Sequence, residues 1–312
     1  MTKLTLHIGI HRTGTTGLQR NLANNRDKLQ AMGIAYPFHN NNHQEIAWQL
    51  YRGELSGSTL RERLDAFARY RQIILSGEDF CIHKSLEWLD PLKQAYDVEA
   101  VIYVRRQDHW VMSWYNQHIK WPFSRRHSTM TPAEFLGCLP EFHWIDLDRT
   151  VGRWEAVLGA DKVKVRVVEK GQVTDAVADF LSLMGVPLAE IDQDNSTHND
   201  SLPIETLEFA RTAGLMDMKP GRRLVVVNFL KEVGKSETYT GKTLFTAEQR
   251  HNILEQFAVS NAALARRRFA RDELFLEGPP DDRDLYVEGT LATHGSFKDL
   301  MMKTLAFLGK ER

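Results

Sequence analysis

Two short runs join cations to hydroxyls at spacings suited to gripping phosphate-like anions. The first is Gly9-Ile-His-Arg-Thr-Gly-Thr-Thr16. Small residues at Thr13, Gly14, Thr15 and Thr16 let a backbone curl tightly, so that successive N–H groups converge on one point. If a helix starts there, its dipole favours an anion at the same point. Arg12 adds a fixed charge and the threonines add donors. The spacing invites comparison with the motif G-x-x-x-x-G-K-[ST], which cradles nucleotide phosphates. Gly9, Gly14 and Thr16 fit it, but Thr15 stands where the lysine belongs, and the cation has moved to Arg12. That departure argues against an ordinary ATPase. The plainer alternative is a strand-to-helix turn that uses Gly and Thr for geometry alone. Arg12 and three hydroxyls are surplus to such a turn.

The second run is Arg105-Arg-Gln-Asp-His-Trp-Val-Met-Ser113, directly after the apolar Val101-Ile-Tyr-Val104. An arginine at the C-terminal end of a strand stands where open α/β sheets bind ligands. Ser113 falls in the following helical stretch and suits a second phosphate. Alternatively, Arg105 or Arg106 simply pairs with Asp108.

These runs need a sheet behind them. Leu4 to Ile10, Gln72 to Ser76, Ala100 to Val104 and Val163 to Val168 read as short buried strands. Helical patterns follow at Leu18 to Met32, Asp108 to Ile119 and Thr174 to Met184. The alternation predicts an α/β fold, a P-loop-like and mostly parallel sheet flanked by helices. Gly33 is placed to end the first helix. Thr131-Pro-Ala-Glu134 and Thr246-Ala-Glu-Gln249 are capping boxes, and the second opens an amphipathic stretch, so the C-terminal half is expected to be more helical. Asn40 to Asn42 and Gly278 to Asp282 read as loops. With no repeat and no low-complexity linker, one domain over residues 1–312 is the economical expectation.

Composition narrows the function. The formal net charge is −1, so no global field favours nucleic acid, and an anion site must be built locally. The two cysteines, Cys81 and Cys138, make no disulfide framework and no CxxC or Cys/His run, so no metal is expected. The reducing cytoplasm is the expected compartment. No stretch is apolar enough for an integral membrane segment, and the apolar run at the N-terminus lacks a cleavage pattern.

Together the two runs resemble the PAPS-dependent sulfotransferase family (PAPS is 3'-phosphoadenosine 5'-phosphosulfate), and within it a bacterial branch that modifies glycans or lipids. In that family a basic residue followed by Ser/Thr-Gly-Thr-Thr holds the 5'-phosphosulfate, here Arg12-Thr-Gly-Thr-Thr16. A strand-end arginine and a serine eight residues on bind the 3'-phosphate, here Arg105 and Ser113. The resemblance covers most of the first 190 residues and thins after that. It implies a sulfotransferase that moves a sulfuryl group from PAPS to a hydroxyl or amine and leaves 3',5'-ADP. The acceptor, whether glycan, lipid or small molecule, stays open.

On that reading Arg12 stabilises the leaving oxygen, while Thr13, Gly14, Thr15 and Thr16 hold the 5'-phosphate. Glu78, just after the second strand, is the first choice of general base, with His43 and His83 as runners-up; the plainer alternative for Glu78 is a solvated turn carboxylate or an ion pair with an arginine. Two departures stand out. Arg12 replaces the usual lysine, and the Arg-Lys-Gly loop of cytosolic members has no clear counterpart, although Gly221-Arg-Arg223 and Arg266-Arg-Arg268 are candidates. The aromatic residues from Trp110 to Trp144 suit either an acceptor wall or a core, and the basic stretch Lys120 to His127 suits an acidic acceptor or a solvated loop. A P-loop kinase or NTPase and a non-catalytic nucleotide-binding module are the competing functions.

Overall fold

The computed structural model describes residues 1–121, 124–194, 202, 204–215, 220–236, 243–280 and 295–310. Its five strands are β1 (Lys3–His7), β2 (Ile34–Ala35), β3 (Gln72–Ser76), β4 (Asp97–Val104) and β5 (Val163–Val167). They pair in the order β2-β3-β1-β4-β5, and every pairing is parallel. β3 is buried along its whole length and β4 nearly so, as expected of central strands covered on both faces. The outer strand β5 alternates buried valines with half-buried Lys164 and Arg166. The α/β, parallel-sheet expectation is met.

Four strands fall where the apolar runs predict. The chain also adds the two-residue β2, and it runs β4 back to Asp97. The helical pattern from Leu18 to Met32 resolves into two helices, Thr15–Asn24 and Arg26–Ala31. The break is Asn25, whose side-chain amide donates to the carbonyls of Asn21 and Asp192. Gly33 follows at φ 76, the left-handed geometry that ends the second helix. Both capping boxes form. Thr131 and Glu134 bond reciprocally, and Thr246 and Gln249 do the same at the start of the helix Ala247–Phe269.

The chain sorts into two compact units. The first comprises Met1–Arg106, His143–His198 and Phe257–Glu277, and the second comprises Gln107–Phe142, Asn199–Gln256 and Gly278–Arg312. The first unit holds the sheet. On one face of it the helices Thr15–Asn24 and Ala176–Leu183 pack Leu18, Leu22, Phe180 and Leu181 against Ile74, Val101 and Tyr103. Burying a side chain such as Phe180 contributes about 1.5–3 kcal/mol. The Tyr103 hydroxyl donates to Asp179 at 2.7 Å, and Arg166 forks onto the same carboxylate, which ties the second of these helices to β4 and β5. The second unit is built from helices, chiefly Gln107–Lys120, Ile204–Ala213, Pro220–Ser236 and Gly295–Lys310. Among the described residues no helix is long and apolar enough to cross a membrane.

Candidate functional site

β1 lies between β3 and β4, so the C-terminal ends of these strands open on one crevice, where parallel sheets present ligand sites. The chain leaving β1 stays tied to β4. Ile8 N donates to Val101 O at 3.0 Å and Ile10 N to Tyr103 O at 2.9 Å. It then turns sharply, with positive φ at Gly9 (45°), Arg12 (70°) and Gly14 (84°). At Gly9 a Cβ would lie 3.0 Å from Thr15 Cγ2, so both the dihedral and the close approach require glycine. Thr13 Oγ1 closes the turn on Ile10 O at 2.8 Å. The helix Thr15–Asn24 then begins with no side-chain cap and no acidic residue in its first turn. Its leading N–H groups and the positive end of its dipole therefore meet no carboxylate of their own turn.

Two guanidinium groups frame this turn. Arg105, at the end of β4, donates from Nη1 to the Arg12 carbonyl at 3.0 Å and so straps the left-handed residue. Burial, together with the Arg105 charge, lowers the Arg12 pKa to about 10, with Glu78 pulling the other way. An anion received between the two guanidiniums relieves their repulsion.

Glu78 opens a 3-10 turn, Glu78–Ile82, directly after β3 and Gly77. Its carboxylate accepts from Thr15 Oγ1 at 2.5 Å and from Gln19 Nε2 at 2.9 Å, one bond to each oxygen. The Thr15 hydroxyl is thus turned onto Glu78.

The turn also carries groups that the sequence reading did not single out. His7, fully buried at the end of β1, bonds Ser76 Oγ through Nδ1 at 2.7 Å, and its Nε2 has no hydrogen-bond partner. Burial lowers its pKa to about 4 against the opposing pull of Glu78, so the ring is neutral. His11 Nε2 lies 3.0 Å from Asp79 Oδ1, while the buried Cys81 thiol is 3.8 Å from Nδ1. Burial acts to lower the His11 pKa, but Cys81 and Asp79 together raise it well above the usual value. Burial itself pushes the Cys81 thiol up. The contact between His11 and Asp79 thus pins the first turn to the segment after β3. The Trp144 ring lies beside the imidazole, with centroids 5.7 Å apart.

Arg12, Thr13, Gly14, Thr15, Thr16, Glu78 and Arg105 all belong to the first unit, on β1–β4 loops at one end of the sheet. Ser113 lies on the helix Gln107–Lys120 in the second unit. His43 is buried, with Nε2 2.8 Å from Pro37 O and Nδ1 accepting from Ser76 N at 2.9 Å. Both nitrogens serve backbone groups, and burial lowers the pKa to about 4. That leaves the ring no lone pair for an acceptor proton. His83 likewise gives Nε2 to Ala47 O at 3.0 Å.

The aromatic residues divide. Trp110, Tyr115 and Phe142 are buried in the second unit's interior and serve as core there, Trp121 is exposed, and Phe123 lies outside the described residues. In the basic stretch Lys120 is buried and Arg126 pairs with Glu141. Arginines of the two candidate closing segments are also engaged. Arg223 donates to Ser128. Arg266 pairs with Asp272, Arg267 with Asp148 and Glu155, and Arg268 bonds the carbonyls of Ala160 and Val163. The end of the stretch Gly278 to Asp282 also lies outside the described residues.

No family model matches the chain. A curated protein of uncharacterised function from Archaeoglobus fulgidus is 30% identical over 181 residues, 57% of this chain and 48% of that protein. The chain thus spans about half the length of the curated relative it matches. Among solved structures, a sulfotransferase from Alicyclobacillus acidocaldarius aligns with TM-score 0.44 and 16% identity over 73% of this chain and 96% of that one. Mouse sulfotransferase SULT7A1, complexed with PAP, aligns with TM-score 0.40 and 15% identity over 86% of each chain.

Proposed function

We propose that this protein transfers a sulfuryl group from PAPS to an acceptor hydroxyl or amine. The observation that carries the reading is the helix start at Thr15. It has neither cap nor acid of its own, follows a left-handed arginine, and stands beside a second strand-end arginine. An oxyanion is the ligand such a turn stabilises best. The displacement of the cation from the lysine position to Arg12 argues against an ordinary ATPase.

In this scheme the 5'-phosphosulfate lies at the N-terminus of the helix Thr15–Asn24. The backbone N–H groups of Gly14, Thr15 and Thr16 and the Thr16 hydroxyl hold it. Arg12 stands by the oxygen that bridges phosphorus and sulfur. The S–O bond to that oxygen breaks as a new one forms to the acceptor oxygen, and Arg12 neutralises the charge left behind. The acceptor proton goes to Glu78. Each oxygen of that carboxylate spends one lone pair on Thr15 or Gln19, which fixes its orientation and keeps a lone pair for the proton. Arg105 takes the 3'-phosphate. The product is 3',5'-ADP, and no metal enters the scheme.

The test is calorimetry with 3',5'-ADP and, separately, with ATP plus magnesium. The scheme expects tight, metal-independent binding of 3',5'-ADP and weak binding of ATP. A preference for magnesium-ATP overturns it in favour of a kinase or NTPase.

A further inference from the structure

The second unit carries a group of side chains that sulfuryl transfer does not use. His127 lies on the short helix Arg125–Thr129, Cys138 follows the helix Pro132–Leu136, and Glu141 ends the 3-10 turn Leu139–Glu141. The His127 ring nitrogen, the Cys138 sulfur and a Glu141 carboxylate oxygen all lie within 4.8 Å of one another. His127 Nε2 is 3.3 Å from Glu141 Oε2, yet it is buried with no bond of proper hydrogen-bond geometry. The Cys138 thiol is buried, and it donates to Met130 Sδ and the Glu134 carbonyl, each at 3.6 Å.

The backbone around these side chains is braced. Arg223 donates to the hydroxyl and carbonyl of Ser128, at 2.8 and 2.7 Å, and Arg211 donates to the carbonyl of Thr129 at 3.1 Å. Together they fix the end of the His127 helix. The Thr131–Glu134 capping box fixes the start of the helix before Cys138. A cation already rests on the carboxylate and the thiol. Arg126 forks onto both oxygens of Glu141, at 3.0 and 2.7 Å, and its Nη2 lies 3.4 Å from Cys138 Sγ. That guanidinium is 57% exposed on a flexible stem, so it can leave without disturbing the packing.

We propose that His127, Cys138 and Glu141 form a binding site for a zinc-type dication. They supply one imidazole nitrogen, one thiolate sulfur and one carboxylate oxygen, with water completing the tetrahedron, and Arg126 rests on the carboxylate and the thiol when the ion is away. Tetrahedral zinc, with bonds of about 2.0–2.3 Å, places its ligands about 3.3–3.8 Å apart. The histidine–glutamate separation is already in that range, and the remaining donors, within 4.8 Å of one another, must close by at most about 1 Å. Sulfur and imidazole together select zinc or cobalt over magnesium or calcium. On binding, the Cys138 S–H bond breaks, its proton passes to solvent, and the electron pair goes to the metal. The Arg126–Glu141 pair opens in the same step.

The experiment titrates the purified full-length protein with Co2+ under reducing conditions without chelating thiols. One equivalent should develop a thiolate-to-cobalt charge-transfer band in the near ultraviolet, with visible bands of tetrahedral intensity, and Zn2+ should bleach them. The chain has only two cysteines, Cys81 and Cys138, so the band is assignable. Cys138→Ser should abolish it and Cys81→Ala should keep it. Arg126→Ala should tighten binding up to about fivefold, the worth of an exposed ion pair removed from competition. As a check that needs no variant, Zn2+ should protect one thiol of the wild-type protein from a thiol-modifying reagent. Absence of a stoichiometric band, a band that follows Cys81, or weaker binding in Arg126→Ala overturns the proposal.

Discussion

Replacing Arg105 by alanine tests the anion site most directly, because this side chain does two things at once. On the proposed reading it offers a charged donor to the 3'-phosphate, and it holds the Arg12 carbonyl at 3.0 Å. Losing one charge-assisted contact to a phosphate costs about 1.5–3 kcal/mol, which lowers affinity about ten- to a hundredfold. The measurement is calorimetric titration of wild type and Arg105→Ala with 3',5'-ADP. A second readout separates loss of charge from a collapsed loop: the thermal midpoint of the unliganded variant should stay close to that of wild type if the turn survives. An affinity within about twofold of wild type refutes the role of Arg105.

Three further expectations follow from the same geometry. Glu78→Gln should leave 3',5'-ADP affinity within about threefold, while turnover with an active acceptor falls by about 10²–10⁴; surviving turnover would place the base elsewhere. Gly9→Ala, at φ 45 with its new Cβ 3.0 Å from Thr15 Cγ2, should cost about 1–3 kcal/mol, seen as a lower thermal midpoint, and an unchanged midpoint would contradict the turn described. His43, with a folded pKa of about 4 against about 6.5 when unfolded, contributes stability that is complete above pH about 6.5. That contribution erodes as pH falls towards 4, by up to about 3 kcal/mol. Urea midpoints of His43→Asn should lose part of this acid slope, and an identical slope in wild type and variant would refute it. His11, whose pKa is raised, acts with the opposite sign: its contribution is complete below pH about 6.5 and is lost only as pH rises through the raised value.

The sequence carries local structure well where one physical signal acts alone. Gln72 to Ser76 is a pure apolar run between polar ends and becomes β3 at those bounds, and both capping boxes form where Thr and Glu or Gln stand three apart. Asn25 interrupts a helical pattern because its amide bonds Asp192, 167 positions away, and no window of sequence contains that partner. β2 has two residues, too few for an alternation to register. The metal-ligand reading is hidden for the same reason. His127 and Cys138 sit on different elements, and only Cys138 and Glu141 keep a ligand-like spacing.

The candidate site obeys the same division, with a geometric reason. The turn from Gly9 to Thr16 is local, so its glycines, threonines and Arg12 are legible at once. Its partners are set by strand register. β1 pairs with β3 with His7 opposite Ser76, an offset of 69 (76 − 7), and with β4 with His7 opposite Val101, an offset of 94 (101 − 7). Continued two residues beyond β1, the first offset brings Glu78 to Gly9, and a Cβ at Gly9 would indeed lie 3.6 Å from Glu78 Cγ. Continued four residues, the second brings Arg105 level with His11, one residue from the carbonyl it holds. A slip of one residue in either pairing turns the central strands over and carries Glu78 or Arg105 off the crevice. The apolar residues of β3 and β4 therefore do more than fill the core: by fixing register, they decide which carboxylate and which guanidinium face the turn.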